Sequence, residues 1–388
     1  MKYRLLVYLF VGGLLLSACN TSPNSQPAAI TMPTAIVPTA TLETAVTSTI
    51  APTNTPLPTE SAVTPETAVT STSIPTNTPP PPTTSTQTPP PNYLDDRSSA
   101  AALMQSYVNA LNLHQYLRAY SYWNPDAAQL TSFSQFEAGY TDTQSVQLTL
   151  GEITGDAGAG QLYYAVPVTL LAQLQDSTMQ TFVGCYVLHL SQPAIQGEPP
   201  FRPLSIDSAL VDQVGNGVDT AVLMSQACQD YAGSPLPATP VPDPNDISAD
   251  RYLDDRTNAA QVIRSLFNAV NRHEYVRAYS YWRADAEGLQ PFDQFQQGYE
   301  DTTAVQLTLG ETTTDAGAGQ RYYQIPTTLV ATKTDSTTET FVVCYTLHLG
   351  LPDAQGVPPY QPITIISAAV QQVANDADTT ALMAQACQ

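Results

Sequence analysis

The apolar and polar positions of this chain follow one pattern twice, and the second copy of the pattern begins 159 residues after the first. Leu103, Tyr107 and Leu111 recur at the spacing of one helix face, and residues 262, 266 and 270 repeat that spacing. The pentapeptide Tyr-Leu-Asp-Asp-Arg occupies 93–97 and again 252–256, and the register between the copies never slips. Self-similarity at a fixed offset predicts two domains that share one fold.

Within each copy the pattern predicts helices first and strands afterwards. In the first copy a helix is expected from about Arg97, with Asp95 and Asp96 as its caps, and a break at 112–114 separates it from two shorter helices. Alternation then predicts four strands, at 146–150, 162–171, 181–190 and 201–211. The glycine-rich stretch 155–160 is predicted as a turn region whose last three residues form the tip of a hairpin. Helices followed by adjacent strands predict an α+β fold with an antiparallel sheet.

Composition divides the chain into segments with different expected structures. Threonine, proline, serine and alanine dominate residues 20–92, which contain no aromatic residue, so this segment cannot bury a core and is expected to be a disordered stalk. The expected segments are a lipoprotein signal peptide over 1–18, a lipidated cysteine with the Thr/Pro-rich linker over 19–92, a first folded domain over 93–229, a Pro-rich linker over 230–251 and a second folded domain over 252–388.

The start of the chain has the layout of a secretory signal peptide. Lys2 and Arg4 precede an apolar run over 5–16, which is too short to span a bilayer as a stable helix. The tetrapeptide Leu-Ser-Ala-Cys that ends at Cys19 resembles the bacterial lipobox, which implies cleavage before this cysteine and its lipidation. An ordinary cleaved signal or an uncleaved anchor is the alternative. We therefore expect a lipid-anchored protein on the extracytoplasmic face of a bacterial cell envelope, with the membrane as a partner.

Four cysteines follow Cys19, and their spacing repeats between the copies. An even number of cysteines outside the cytoplasm favours disulfides, and the pairing that respects the repeat is Cys185–Cys228 and Cys344–Cys387. A metal site is the alternative, but the chain contains no CxxC or HxxxH pair that would begin one. Neither a metal nor another cofactor is therefore expected.

The order of the predicted elements resembles the NTF2-like fold, which is also described as cystatin-like or SnoaL-like. The similar stretches are Asn-x-His-x-Tyr-x-x-Ala-Tyr at 112–120 with Trp123, Phe-x-x-Gly-Tyr at 136–140, and Thr-Phe-Val-Gly-Cys-Tyr at 181–186. The resemblance spans nearly all of both copies and implies two tandem cones, in each of which a curved antiparallel sheet wraps around the helices. It also implies a pocket inside each cone. This fold occurs in enzymes, binding modules and spacer domains alike, so the resemblance predicts architecture better than activity.

Residues that both copies share and that would line such cones are candidates for a pocket. Asp142 and Asp301 are candidate bases at the cone mouths, although turns and helix caps are the commoner use of aspartate. His189 and His348 alternate with apolar residues along their strands and are expected outside the cones. Core packing is the alternative role of the aromatic candidates, and no residue is assigned as catalytic. The candidate pocket residues are Trp123, Tyr140, Asp142, Tyr164, Tyr186, Trp282, Tyr299, Asp301, Tyr323 and Tyr345.

The formal net charge of −21 argues against nucleic acid as a partner and against broad adhesion to anionic membranes. The leading hypothesis is a membrane-anchored, non-enzymatic binding or interaction module whose partner is an unknown protein or a small apolar ligand. The alternatives are a SnoaL-like enzyme or ligand carrier that uses the cones, and a structural spacer of the cell envelope. Because NTF2-like domains often associate through their sheets, the two copies are also expected to pair within the chain.

Overall fold

The computed structural model describes residues 93–215, 217–231, 233–236, 243 and 245–388. All of these residues belong to one compact unit. The expected signal peptide, Cys19 and the expected stalk lie outside the described residues. Within the described part of the chain, no helix has both the length and the apolar character needed to cross a bilayer.

The first copy begins with three helices and continues as an antiparallel sheet. Its sheet order is β5-β4-β3-β2-β6, and β1 pairs with β3. The elements are α1 (Ala100–Asn112), α2 (Tyr116–Tyr120), α3 (Phe133–Ala138), β1 (Thr143–Leu150), β2 (Thr154–Gly158), β3 (Gln161–Leu174), β4 (Met179–Ser191), β5 (Ser205–Val214), α4 (Thr220–Gln226) and β6 (Ser234–Pro235).

The second copy repeats this order. Its sheet order is β11-β10-β9-β7, and β8 pairs with β9. The elements are α5 (Ala259–Asn271), α6 (Tyr275–Tyr279), α7 (Phe292–Gln297), β7 (Thr302–Leu309), β8 (Thr313–Gly317), β9 (Gln320–Lys333), β10 (Thr338–Gly350), β11 (Thr364–Val373) and α8 (Thr379–Met383). The described chain is therefore α+β with two antiparallel sheets, as the sequence predicts.

Helix α1 begins three residues later than expected and has a different cap. Ser99 is the N-cap residue, and its Oγ accepts a hydrogen bond from Ala102 N at 3.1 Å. Asp95 and Asp96 precede the helix and make other contacts, so their assignment as caps is wrong. The helix ends at Asn112, in the predicted break, because Leu113 is its C-cap residue and His114 follows with a φ of 56°.

The glycine-rich stretch is mostly a strand, not a turn. Strand β2 pairs with β3 from Thr154 to Gly158, and only residues 159 and 160 form the hairpin tip, both with positive φ. A Cβ atom at Gly155 would lie 2.7 Å from Leu236 Cδ2, so a larger residue here would require this exposed side chain to move. Small residues thus allow Leu236, which follows β6, to pack closely against β2.

A proline lies in the middle of the longest strand of each sheet, at Pro167 and Pro326. Along one edge β3 pairs continuously with β4, whereas along its other edge β2 pairs with residues 161–165 and β1 with 168–174. The carbonyl of Pro167 accepts from Gly151 N at 2.8 Å, at the break between β1 and β2. A proline is tolerated here because the missing N–H would face the same break.

Each copy has its own hydrophobic core, and strand β4 shows which sheet face covers it. Tyr186 and Leu188 belong to the main core of the first copy, whereas Cys185 and Val187 form a separate cluster with Ala227 and Cys228. The predicted alternation along this strand is therefore confirmed.

Two disulfides join the sheets to the tails that follow them. Cys185 pairs with Cys228 and Cys344 pairs with Cys387, with a Cα–Cα distance of 5.2 Å in both pairs. The pairing that respects the repeat is confirmed.

Candidate functional site

The two copies contact each other through the repeated pentapeptide. Arg97 N donates to Asp254 O over 2.7 Å, and the reciprocal bond joins Arg256 N to Asp95 O over 2.6 Å. These two bonds form a short antiparallel bridge, which we call the junction. It uses the repeated segments and not the sheet-to-sheet contact that the fold resemblance suggests.

Hydrogen bonds to side-chain hydroxyls across the junction are also reciprocal. Asp95 N donates to Thr257 Oγ1 at 3.1 Å, and Asp254 N donates to Ser98 Oγ at 2.8 Å. Ser98 and Thr257 occupy equivalent positions in the repeat. At these positions each copy therefore gives the other the same contacts, as in an isologous dimer interface.

A fully buried arginine supports the junction in the second copy. Arg277 is 0% exposed, and its Nε donates to Glu274 Oε2 at 2.6 Å. Its Nη2 donates to Asn268 Oδ1 at 2.9 Å, and its Nη1 donates to the carbonyl of Leu253. The guanidinium also lies over the ring of Tyr252, 4.6 Å from the centroid. Arg277 thus fixes the two residues that precede Asp254.

The first copy has the same arrangement with one chemical difference. Arg118 is also 0% exposed, donates to the carbonyl of Leu94, and lies 4.5 Å from the ring centroid of Tyr93. Its Nε donates to Gln115 Oε1 at 2.8 Å, where the second copy has Glu274. The buried charge of Arg118 therefore lacks the carboxylate contact that Arg277 has.

One pair of aromatic residues makes the junction asymmetric. Tyr93 Oη lies 2.9 Å from Tyr360 Oη of the second copy. Tyr252, the equivalent of Tyr93, packs against the core of the first copy, but the residue equivalent to Tyr360 is Phe201. The hydroxyl of Tyr252 is buried and has no hydrogen-bond partner among the described residues.

Replacing Phe201 with tyrosine is expected to raise the free energy of unfolding by about 1 kcal/mol, because the new hydroxyl gives Tyr252 a partner. The matched variant Tyr360→Phe is expected to lower it by a similar amount, because it removes the existing contact with Tyr93. Urea denaturation of both variants measures the effect. Unchanged stability in both would show that hydroxyl pairing across the junction contributes nothing.

Two of the four aspartates of the pentapeptides have raised pKa values. Burial raises the pKa of Asp255 to about 6, and the negative charge of Asp96 adds to the rise. Burial also raises the pKa of Asp96, although hydrogen bonds from Ser98 partly oppose it. Between about pH 4 and pH 6 the folded chain therefore binds more protons than the unfolded chain. The junction is expected to gain stability as the pH falls through this window and to lose it as the pH rises.

Replacing Asp255 with asparagine is expected to raise the free energy of unfolding at pH 7 by about 1–2 kcal/mol, since a neutral amide avoids the cost of the partly buried charge. The amide oxygen can still accept from Thr257 N, which lies 2.8 Å from Asp255 Oδ1. Urea denaturation between pH 4.5 and 7 should show a flatter pH dependence for the variant. Asp335→Asn, at an exposed turn, is the control. Equal slopes for Asp255→Asn and the unmodified chain would contradict the prediction.

A cleft of about 690 Å³ lies beside the junction, and both copies line it. The first copy contributes Leu117, Tyr120, Trp123 and Leu130, and the second contributes Trp282. Six prolines, three from each copy, complete much of the surface. Both tryptophans of the chain therefore lie at this cleft.

The charged groups of the cleft already have partners. Arg97 donates to Leu204 O at 3.0 Å and to Ser121 O at 2.9 Å. Arg283 Nε lies 2.5 Å from Asp285 Oδ1. The remaining surface is largely apolar. The cleft is therefore better suited to an apolar ligand, or to one that packs against aromatic side chains, than to an anion.

The structure brings most candidate pocket residues of the first copy together. Tyr140 Oη lies 2.8 Å from the hydroxyl of Tyr107, and the ring of Tyr186 lies 6.3 Å from that of Trp123. Tyr164 packs against the same core. Asp142 stands apart because it is exposed, and its backbone oxygen accepts from the strand turn that follows β3.

The second copy places its candidates similarly. Trp282 and Tyr345 have ring centroids 6.2 Å apart, and Tyr299 and Tyr323 pack against the same core. Burial raises the pKa of Tyr299 to about 12, so its hydroxyl stays protonated at neutral pH. Asp301 is exposed, and its Oδ1 accepts from Lys333 Nζ at 2.8 Å. The assignment of both groups to ligand pockets stays a prediction.

Sequence reasoning missed the buried arginines and the cleft. An available signal was the position of Arg118 and Arg277 between apolar neighbours, in Leu-Arg-Ala and Val-Arg-Ala, on short helices. An arginine so placed is buried only when hydrogen-bond acceptors surround it. The cleft had no local signal because it arises from contact between the copies.

No group of three or more histidine, cysteine, aspartate or glutamate side chains is placed to bind a metal ion in the described part of the chain. No protein-family model, no curated protein and no solved structure matches this chain. A proposal for its function therefore depends on the geometry of its own residues.

Proposed function

We propose that this chain is a lipid-anchored protein of the bacterial cell envelope whose two NTF2-like cone domains form a non-enzymatic binding module. The observation that carries the proposal is the cleft that both copies line beside the junction. Its volume, about 690 Å³, lies within the range of ligand sites in proteins, and its lining is largely apolar with few unpaired polar groups. The two copies act as one unit in this proposal, because neither provides the cleft alone.

The proposed location has independent support from the chemistry of the chain. The two disulfides are typical of an oxidising, extracytoplasmic compartment. The lipobox-like sequence at Cys19 supplies a membrane anchor, and the Thr/Pro-rich segment after it supplies a stalk. Membrane contact in this proposal depends on the lipid, since a net charge of −21 disfavours electrostatic adhesion.

The surroundings of the two candidate bases favour binding over catalysis. Asp142 is exposed, and Asp301 is exposed and paired with Lys333. A general base acts on a substrate that a pocket holds within hydrogen-bond reach. Neither aspartate has such surroundings.

A ligand carrier that uses the cones is a second candidate. The supporting observation is the buried Nε1 of Trp282, which has no hydrogen-bond partner among the described residues. The equivalent Nε1 of Trp123 in the first copy is also buried without a hydrogen-bond partner among the described residues. A small ligand with an acceptor group inside either cone would satisfy such a donor.

Leu130→Glu is expected to weaken binding of the apolar dye 8-anilinonaphthalene-1-sulfonate to the full chain by about tenfold or more, since it places a charge in the apolar cleft. The matched control is Leu289→Glu, because Leu289 is the equivalent residue and lies outside the cleft lining. Energy transfer from Trp123 and Trp282 to the dye measures binding. Equal dye affinity in both variants would remove the cleft as the binding site, and native mass spectrometry of the chain from its own host would then test the cones for a retained ligand.

A further inference from the structure

We infer that the cleft binds an extended proline-rich segment of a second copy of this chain. The inference rests on the proposed function, since it names the ligand of the same cleft. Proline-rich segments bind grooves that aromatic residues line, and they lose little conformational entropy because proline already restricts their backbone. The chemistry of the cleft and the composition of the chain both point to this ligand.

The lining of the cleft has the chemistry that such a ligand requires. Tyr120, Trp123 and Trp282 provide aromatic surface, and six prolines lie among them. Aromatic and proline side chains that line a groove contact the rings of an extended proline-rich chain, and this contact does not require matched charges. A phosphate or carboxylate group would need free cationic donors, and Arg97 is already bound to backbone carbonyls.

The polar groups at the cleft suit the backbone of an extended ligand. The carbonyl groups of a polyproline II segment have no internal hydrogen bonds and are free to accept. Gln361 lies in the lining and carries a side-chain N–H donor of the required kind. Donors to backbone carbonyls give affinity without a strict requirement for ligand sequence.

The chain itself contains the matching ligand sequence. Residues 78–82 are Thr-Pro-Pro-Pro-Pro and residues 88–91 are Thr-Pro-Pro-Pro. The segment 20–92 contains three glutamates and no lysine or arginine. The charged groups of the cleft already have partners, so a segment such as 78–92, which has no charged side chain, is the matching ligand.

A second copy is the source because anchored molecules meet at high local concentration. Lipid-anchored copies on one membrane share its surface, and each presents the proline-rich segment and the cleft. Association between tethered partners then occurs at an effective concentration far above that in bulk solution, so even a weak contact is populated. The resulting contact is heterologous and joins the segment of one molecule to the cleft of the next.

The test uses the full chain and a synthetic peptide of residues 78–92, with a control peptide in which its seven prolines are alanine. The two tryptophans both lie at the cleft, so their emission reports its occupancy directly. We expect a saturable change in emission with the peptide and none with the control. Leu130→Glu should weaken peptide binding by about tenfold or more, and Leu289→Glu should leave it unchanged. Sedimentation of the full chain should show concentration-dependent association that Leu130→Glu abolishes.

Three results would overturn the inference, and they differ in whether the proposed function is retained. Dye binding that Leu130→Glu weakens, without any response to the peptide, would retain the cleft as a site and exclude this ligand. Peptide binding without self-association of the full chain would exclude a second copy as the source. If neither the dye nor the peptide binds to the unmodified chain or to either variant, the proposed function is removed as well. Circular dichroism of each variant shows whether its fold is intact.

Discussion

Replacing Arg277 with alanine is expected to lower the free energy of unfolding of the second copy by about 3–5 kcal/mol. The side chain is fully buried, and its removal leaves Asn268, the carbonyl of Leu253 and part of Glu274 without their donor. Glu274 has a side chain that is only 2% exposed, so its charge would stay buried with Arg272 as its remaining partner. A buried charge that loses its partner is much more costly than an exposed one.

The measurement needs a probe that reports on one copy. The chain has one tryptophan in each copy, so a Trp123→Phe background leaves Trp282 as the probe of the second copy during urea denaturation. Arg118→Ala, followed by Trp123 emission in a Trp282→Phe background, is the matched control. Its expected cost is smaller, about 2–3 kcal/mol, because Gln115 is neutral and no carboxylate is its direct partner. Equal costs in the two copies would show that the Arg277–Glu274 contact adds nothing to the hydrogen bonds that the copies share.

Removal of one disulfide by the double replacement Cys344→Ser and Cys387→Ser is expected to lower the free energy of unfolding by about 4 kcal/mol. The bridge closes a loop of 43 residues, and an open loop has more conformational freedom in the unfolded state. The loop includes β11 and α8, and α8 is short with no fully buried residue. We therefore expect the tail after β11 to lose protection against hydrogen exchange before the rest of the second copy.

The first copy supplies the control for this prediction. Cys185→Ser with Cys228→Ser opens a loop of the same length, so the entropic contribution should be the same. Any difference between the two double variants would then reflect packing of the tails and not loop length. A loss below about 1 kcal/mol in both would mean that the unfolded chain keeps its ends close without the bridges.

The sequence predicted the features of this fold that depend on spacing alone. The fixed offset identified both copies, and the equal spacing of the two cysteines in each copy predicted one disulfide per copy. The strand predicted over 181–190 implies that Tyr186 and Cys185 lie on opposite sheet faces, since successive side chains of a strand point to opposite sides. The α+β class was also predictable, because it depends only on the order of helices and strands along the chain.

Features that depend on contact between distant segments were not predictable in this way. Asp95 and Asp96 satisfy the local rules for a helix cap, but Ser99 is the cap and the aspartates form the junction with residues from 159 positions away. The stretch 155–160 has the composition of a turn, yet most of it is the strand that Leu236 packs against. Local propensity fails in both places because a tertiary contact outweighs it. The candidate pocket shows the same limit, since Asp142 and Tyr140 are close in sequence but differ in exposure.

The reciprocal junction has a consequence for how this protein can change over time. In a dimer of identical chains, every substitution appears on both sides of the twofold axis, and a change that suits one side must also be tolerated on the other. Here the two sides are encoded separately, and equivalent positions already differ. Phe201 in the first copy corresponds to Tyr360 in the second, and Gln115 corresponds to Glu274. The covalent link between the copies therefore permits a cleft with two unlike ends. Such a cleft can distinguish the two directions of a bound chain, which a strictly symmetric one cannot.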